Sequence, residues 1–292
     1  MKIFITGGSG FIGQPLLKRL REHELLVLGR QPLPELPEGS QHLVGNLMNR
    51  KDWKPALNNF APDAAIHLAW DGLPDYSLSR CMENFNATLH LWETLAEVGC
   101  RKIISAGTCW EYGELQGKLA EDANPTKTNL FASFKSALRK IGESLAADNE
   151  NEIEFVWGRI FFAYGPGQRE TSLIPQCIQA FREGRRPEVR TPTAINDFIH
   201  VDDVASALTA LVETSGVHGT FNIGSGRPVQ VGELVQSLEK LIENNSEGLP
   251  PPMDESSKKA EAGKGFWANP EKIKDATGWE ASISLEAGLK QV

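Results

Sequence analysis

Five short runs rich in apolar and β-branched residues punctuate the first 165 positions: K-I-F-I-T (2–6), E-L-L-V-L (24–28), A-A-I-H-L-A-W (64–70), K-I-I-S-A (102–106) and I-E-F-V-W-G-R-I-F-F (153–162). Between them apolar residues recur at helical spacing. Ile12, Leu16, Leu17 and Leu20 are predicted to share one face, Leu89, Trp92, Leu95 and Ala96 a second, and Ala137, Ile141 and Leu145 a third. Strands alternating with helices predict a parallel sheet covered on both faces by right-handed crossovers, the doubly wound α/β class. After residue 165 the pattern weakens into Pro and Gly turns. Two further helical stretches follow at 173–183 and 231–243, and a polar segment at 243–259 reads as a mobile surface connection.

Composition narrows the class without changing the fold. With 292 residues and 40% hydrophobic content the chain can bury a core, which excludes disordered and fibrous proteins. No apolar run reaches the ~20 residues of a membrane span. The amino terminus, M-K-I-F-I-T-G-G, passes from strand to glycines without the apolar core of a signal peptide, so a cytoplasmic protein with no membrane partner is expected. Cys81, Cys100, Cys109 and Cys177 lie far apart and no histidine pair has ligand spacing, predicting reduced thiols and no metal. A formal net charge of -8 argues against a nucleic-acid surface, which needs concentrated cations to displace phosphate counterions.

The chemistry begins at T-G-G-S-G-F-I-G (6–13), between a predicted strand and a predicted helix. Gly8, Gly10 and Gly13 fit G-x-G-x-x-G, while Gly7, Gly10 and Gly13 fit G-x-x-G-x-x-G. Either spacing removes Cβ atoms so that a tight turn can form and a dinucleotide pyrophosphate can approach free backbone N–H groups. At the end of the second strand, where a carboxylate would accept from an adenosine ribose 2'-hydroxyl, the sequence is V-L-G-R (27–30). Gly29 supplies no carboxylate and Arg30 offers a guanidinium suited to a 2'-phosphate, so NADP is expected ahead of NAD.

Further segments follow in order: V-G-N-L (44–47), H-L-A-W (67–70), N-A-T (86–88), G-T-C-W-E-Y-G (107–113), Lys135, R-I-F-F-A-Y-G-P-G (159–167), D-F-I-H-V-D-D-V-A (197–205) and F-N-I-G-S-G (221–226). Together with the glycine turn they resemble the extended short-chain dehydrogenase/reductase family of NAD(P)-dependent nucleotide-sugar epimerases, dehydratases and ketoreductases. The resemblance implies a Rossmann domain over 1–165, rejoined by 197–220, and a mainly substrate-binding region over 166–292. It places Gly7, Gly10, Phe11, Ile12, Gly13, Arg30, Asn46, Leu47, Leu68, Ala69 and Lys135 at the cofactor, and implies a homodimer through helices near 88–98 and 131–148. A nucleotide-sugar substrate would meet Trp70, Cys109, Trp110, Phe162, Arg169 and Asn196.

In the family a Ser or Thr, a Tyr and a Lys four residues after it perform hydride-linked proton transfer: the phenol protonates the carbonyl oxygen, and the ammonium lowers the phenol's pKa. Thr108 and Lys135 fill two of these places, and Lys135 should also bond the nicotinamide ribose. The tyrosine place is Phe131. Three readings follow: a Tyr-to-Phe change made in an otherwise intact enzyme, a natural protein using another proton donor or water, or a member that only binds dinucleotide or sugar nucleotide. The Asp and Glu that follow the catalytic Thr in the family's dehydratases are Cys109 and Trp110 here, which disfavours dehydration; Cys109 reads as packing ahead of an acid/base role. A 4-keto-6-deoxysugar nucleotide reductase is the first expectation, ahead of a 4-epimerase.

Departures touch the substrate side as well. Phe162 stands where an Asn usually meets the diphosphate, and Asn196 where an Arg usually precedes D-F-I; Arg169, Arg185, Arg186 and Arg190 are candidate replacements. Asp202 and Asp203, beside His200, read as caps of the apolar helix that follows.

Overall fold

A computed structural model describes residues 1–33, 36–125, 127–147, 152–243 and 263–292, so all but the first residue of the polar segment expected at 243–259 lies outside the described residues. Seven parallel strands form the central sheet: β1 (Lys2–Thr6), β2 (Glu24–Gly29), β3 (Gln41–Val44), β4 (Ala64–His67) and β5 (Lys102–Thr108), then two that follow later in the chain. A short β6 (Gly117–Leu119) precedes β7 (Glu154–Ile160), the sixth strand of this sheet. The chain then leaves it through β8 (Phe162–Tyr164) and β9 (Ile195–His200) and returns as β10 (Gly219–Ile223). The order is β10-β7-β5-β4-β1-β2-β3. Smaller sheets join β8 and β9 to β11 (Pro228–Gln230), and β6 to β12 (Phe266–Ala268).

Helices α1 (Gly13–Arg19), α2 (Arg50–Phe60), α3 (Leu78–Glu97), α4 (Leu130–Ala147), α5 (Leu173–Arg182), α6 (Val201–Glu213), α7 (Val231–Glu243), α8 (Glu271–Thr277) and α9 (Leu285–Leu289) complete the elements. The strands read as continuous apolar runs because both faces are covered. On one face Ile3, Ile5, Val27 and Ile104 pack with Leu16 of α1 and Leu208 of α6. On the other, Phe4, Leu26 and Ile103 pack with Trp53, Trp92 and Leu138 of α2, α3 and α4. Chain order reverses between β1 and β4, which opens a crevice at the carboxyl ends of those strands; open α/β sheets bind ligands at such a switch point.

One local expectation needs correction. The run 153–162 is not one strand: Phe161 separates β7 from β8, and Phe162 joins a different sheet. Ala137, Ile141 and Leu145 share one side of α4 as expected, but the most deeply buried positions of the helix are Phe131, Ala132, Lys135, Leu138 and Gly142; Leu145 packs part-buried against the same core and Ile141 is exposed. Ile141 and Leu145 also line an open groove with Leu89, Trp92 and Ala96 of α3. Periodicity finds apolar stripes, but α4 carries two, and only packing assigns which one is buried deeper.

Candidate active site

After β1 the chain turns at Gly7, whose φ of +79° favours glycine; a Cβ there would lie 2.8 Å from the Ala69 nitrogen. Gly10 N–H donates to the Gly7 carbonyl at 3.0 Å. A Cβ on Gly13 would come within 2.2 Å of that same carbonyl oxygen, so the helix can begin this close to the turn only with glycine. Gly8 points elsewhere, against Val27 and Leu17. Of the two spacings, Gly7, Gly10 and Gly13 therefore line the crevice.

The crevice is a groove of about 590 Å³ lined also by Phe11, Ile12, Arg30, Asn46, Leu47, Leu68, Ala69 and Trp70, with Gly167 and Arg169 on its far side. Every expected cofactor residue except Lys135 is among its walls. The set fits a dinucleotide: glycine backbone at the switch point leaves room a Cβ would fill, and the buried Trp70 Nε1–H has no acceptor among the described residues. Arg30 does not stand free. Its Nη1 lies 2.5 Å from Asp71 Oδ1, across the groove.

Phe131 and Lys135 sit one turn apart on the buried face of α4. Lys135 Nζ donates to the Ala106 carbonyl at 2.9 Å and stands 4.2 Å from the centre of the Trp70 ring. Burial lowers its pKa to about 8, against the opposing pull of Glu111 and Cys81. The ammonium is thus covered by the indole that lines the groove. The Phe131 ring is held by three aromatic neighbours, Trp70 and Tyr76 at 5.1 Å and Trp110 at 6.0 Å between centroids. Such pairs each contribute about 0.5–1.5 kcal/mol beyond burial.

Thr108 ends β5 and caps a short 3₁₀ turn, Cys109–Tyr112: its hydroxyl accepts from Trp110 N–H at 3.3 Å, and Glu111 Oε1 accepts from Thr108 N–H at 3.0 Å. Glu111 is fully buried. Oε1 also accepts from Trp157 Nε1 at 2.8 Å, while Oε2 lies 3.3 Å from Arg159 Nε and 3.6 Å from Arg139 Nε. A carboxylate can be buried here because cations and N–H donors surround it. The network fixes the turn that presents Thr108.

Several expected residues lie elsewhere. Cys109 is 3% exposed among Tyr112, Phe161 and other core residues, and burial raises its thiol pKa, which removes it from the substrate and from acid/base work. Phe162 packs on Phe198 and Phe266, and Asn196 pairs with Val229 in the small sheet, so neither lines the groove. Of the four arginines only Arg169 reaches it: Arg185 is ion-paired to Glu183, Arg186 lies 3.6 Å from Glu239, and Arg190 is exposed. The α6 cap is His200, whose Nδ1 accepts from Asp202 N–H, not an aspartate. Asp203 instead accepts from Ser282 and Ile283 and ties down the C-terminal segment.

Three residues were not anticipated. Glu111 had a sequence signal, the T-x-x-E spacing of a capping box from Thr108. Tyr76 and Asp71 had none, being ordinary loop residues: only the fold brings Asp71 to the groove and Tyr76 against Phe131. Of the three tyrosines, Tyr112 and Tyr164 are buried with hydroxyls given to Asn222 and Ala120 and to the Leu285 carbonyl, respectively. Tyr76 is half-buried against Phe131 and Trp110.

Comparison with known proteins places this geometry. A bifunctional UDP-glucose 4-epimerase and UDP-xylose 4-epimerase of Arabidopsis thaliana is 26% identical over 97% of this chain and 92% of its own length. The dTDP-4-dehydro-6-deoxyglucose reductase of Escherichia coli is 25% identical over 99% and 96%. Among solved structures, MoeE5 in complex with UDP-glucuronic acid and NAD superposes with a TM-score of 0.83 at 27% identity, covering 100% of this chain and 97% of that one. UDP-glucose 4-epimerase of Thermotoga maritima, at 23% identity and a TM-score of 0.84, shares the fold. None of these supports NADP ahead of NAD. Residues 3–224 match the NAD dependent epimerase/dehydratase family. With its glycine turn and switch-point groove, the chain belongs to that family, within the extended short-chain dehydrogenase/reductases.

Proposed function

We propose that the groove holds a nicotinamide dinucleotide and that the chain transfers hydride at the sugar C4 of a nucleotide sugar, as a reductase of a 4-keto-(6-deoxy)sugar nucleotide. The bound dinucleotide supplies the hydride. The observation that carries this reading is Lys135 on α4, bonded to the Ala106 carbonyl of β5 two residues before Thr108 and set against Trp70 beside the glycine groove, with no carboxylate pair after Thr108. Thr108 Oγ1, held by the Glu111-braced turn, hydrogen-bonds the sugar oxygen. Lys135 keeps a positive charge behind the aromatic wall, which favours negative charge developing on that oxygen.

Phe131 has no proton to give. The phenol available in its place is Tyr76, whose ring packs at 5.1 Å against Phe131; it gives its proton to the oxygen as hydride reaches carbon and is reprotonated from solvent. Epimerisation at C4 is the second reading, favoured by the Arabidopsis relative, because oxidation, turning and reduction need the same hydride site. Burial of Cys109 leaves no thiol for epimerisation beside the ketone. On this reading the protein acts in the cytoplasm as a homodimer, with the apolar groove between α3 and α4 as the paired face.

The test is turnover of the unaltered chain with reduced dinucleotide and nucleotide 4-ketosugars, followed by nicotinamide absorbance and sugar NMR. Consumption with formation of the 4-hydroxy sugar supports reduction. Interconversion of C4 epimers at constant dinucleotide supports the second reading, and tight binding without either reaction supports a binding protein.

A further inference from the structure

Arg30 stands at the end of β2, where a 2'-phosphate would need a cation, yet its guanidinium is engaged by Asp71 from the opposite wall of the same groove. We infer that Asp71 is a cofactor-specificity residue: by holding Arg30 it withholds the cation from a 2'-phosphate and tilts the groove toward the dinucleotide with a free 2'-hydroxyl. The inference rests on the dinucleotide reading of the groove.

Asp71 is a fixed element. Its N–H donates to Asn84 Oδ1 at 2.7 Å, and Asn84 Nδ2 donates back to the Asp71 carbonyl at 3.0 Å; Asn84 is 2% exposed on α3. The second carboxylate oxygen takes Arg80 Nη1 at 3.0 Å, and Arg80 also pairs with Glu83 at 2.8 Å. Gly72, at φ +85°, lets the chain pass there, since a Cβ would lie 2.6 Å from Arg80 Cδ. Arg30 is the movable partner: its side chain is 69% exposed, and among the described residues it has no second acidic partner.

Because β4, β1 and β2 are adjacent in that order, the Arg30–Asp71 pair bridges the switch point itself. The two arginines are balanced by Asp71 and Glu83, so the cluster carries no spare positive charge. A 2'-phosphate arriving here must break the Arg30–Asp71 pair or bind without a free cation, and either lowers its affinity. A 2'-hydroxyl meets no such conflict: a carboxylate in the groove can accept its hydrogen bond, the role that Gly29 and Arg30 leave unfilled at the strand end.

The experiment is calorimetric titration of the full chain with NAD and with NADP. Asp71→Asn should raise NADP affinity relative to NAD by about threefold to fivefold, the upper end of the scale of one exposed ion pair. Arg30→Gln alone should change that ratio by less than about twofold, since the guanidinium is already taken. In the double variant the gain from Asp71→Asn should vanish. An unmoved ratio in Asp71→Asn, or a large loss of NADP affinity in Arg30→Gln alone, overturns the inference. The Arg30→Gln arm decides the matter if Asp71→Asn does not fold. Failure of wild type to bind either dinucleotide overturns the groove reading and the inference with it; binding of both with an unmoved ratio overturns the inference alone.

Discussion

The Lys135 ammonium lies 4.2 Å from the centre of the Trp70 indole, and it donates a hydrogen bond to the Ala106 carbonyl. The indole therefore separates the cation from solvent, and burial brings its pKa down to about 8. Below that value the ammonium is present; above it the charge is lost, so kcat/KM should fall as pH rises through about 8. Trp70→Leu exposes the amine, which should move the falling limb to higher pH, toward the ordinary lysine value near ~10.4. A limb that stays in place in Trp70→Leu contradicts this assignment.

The proton donor can be tested by moving it. Tyr76→Phe should lower kcat by about 10²–10⁴-fold, the usual contribution of a positioned general acid. Adding Phe131→Tyr to that variant should recover a large part of the loss. If Tyr76→Phe leaves kcat unchanged while the protein binds dinucleotide normally, water or another group supplies the proton.

His67 offers an acid-stability prediction. It bridges Thr6 Oγ1 at 2.7 Å and Thr88 Oγ1 at 3.0 Å, and burial, with the nearby Lys135 charge, lowers its pKa to about 3. The folded pKa lies below the unfolded value of ~6.5, so between the two the unfolded chain binds more protons and stability falls as pH falls. The slope from this residue should approach about 1.4 kcal/mol per pH unit. His67→Gln should flatten it, as read from urea midpoints between pH 4 and 6.5; equal slopes in both proteins would refute the linkage.

Packing of α4 on β7 depends on a missing side chain. A Cβ at Gly142 would lie 2.0 Å from the Phe155 ring, which itself packs on Trp92 at 5.0 Å. Gly142→Ala should therefore destabilise the fold by about 1–3 kcal/mol despite alanine's better helix propensity. A rise in thermal midpoint would show that α4 shifts freely.

What the sequence made legible follows from which forces are local. Buried parallel strands leave long apolar runs, so β1, β2, β4, β5 and β7 could be read directly, whereas β3, with its polar Gln41 and His42 at the sheet edge, could not. The glycine turn was readable because excluded Cβ atoms at Gly7 and Gly13 restrict residue choice. Thr108, Phe131 and Lys135 were found through spacing, but the Trp70 cover over Lys135 depends on a loop from a different strand. The Arg30–Asp71 pair shows the same limit: Arg30 was visible, while its partner Asp71 lies 41 positions away.

On the proposed reading, hydride passes from the dinucleotide to a sugar carbonyl in this groove. Its most direct test is incubation of the unaltered chain with a nucleotide 4-ketosugar and reduced dinucleotide deuterated on the nicotinamide ring, with NMR of the recovered sugar. Deuterium bound to the sugar C4 is the predicted result; a sugar recovered unreduced and unlabelled, from protein that binds the dinucleotide, would contradict the account.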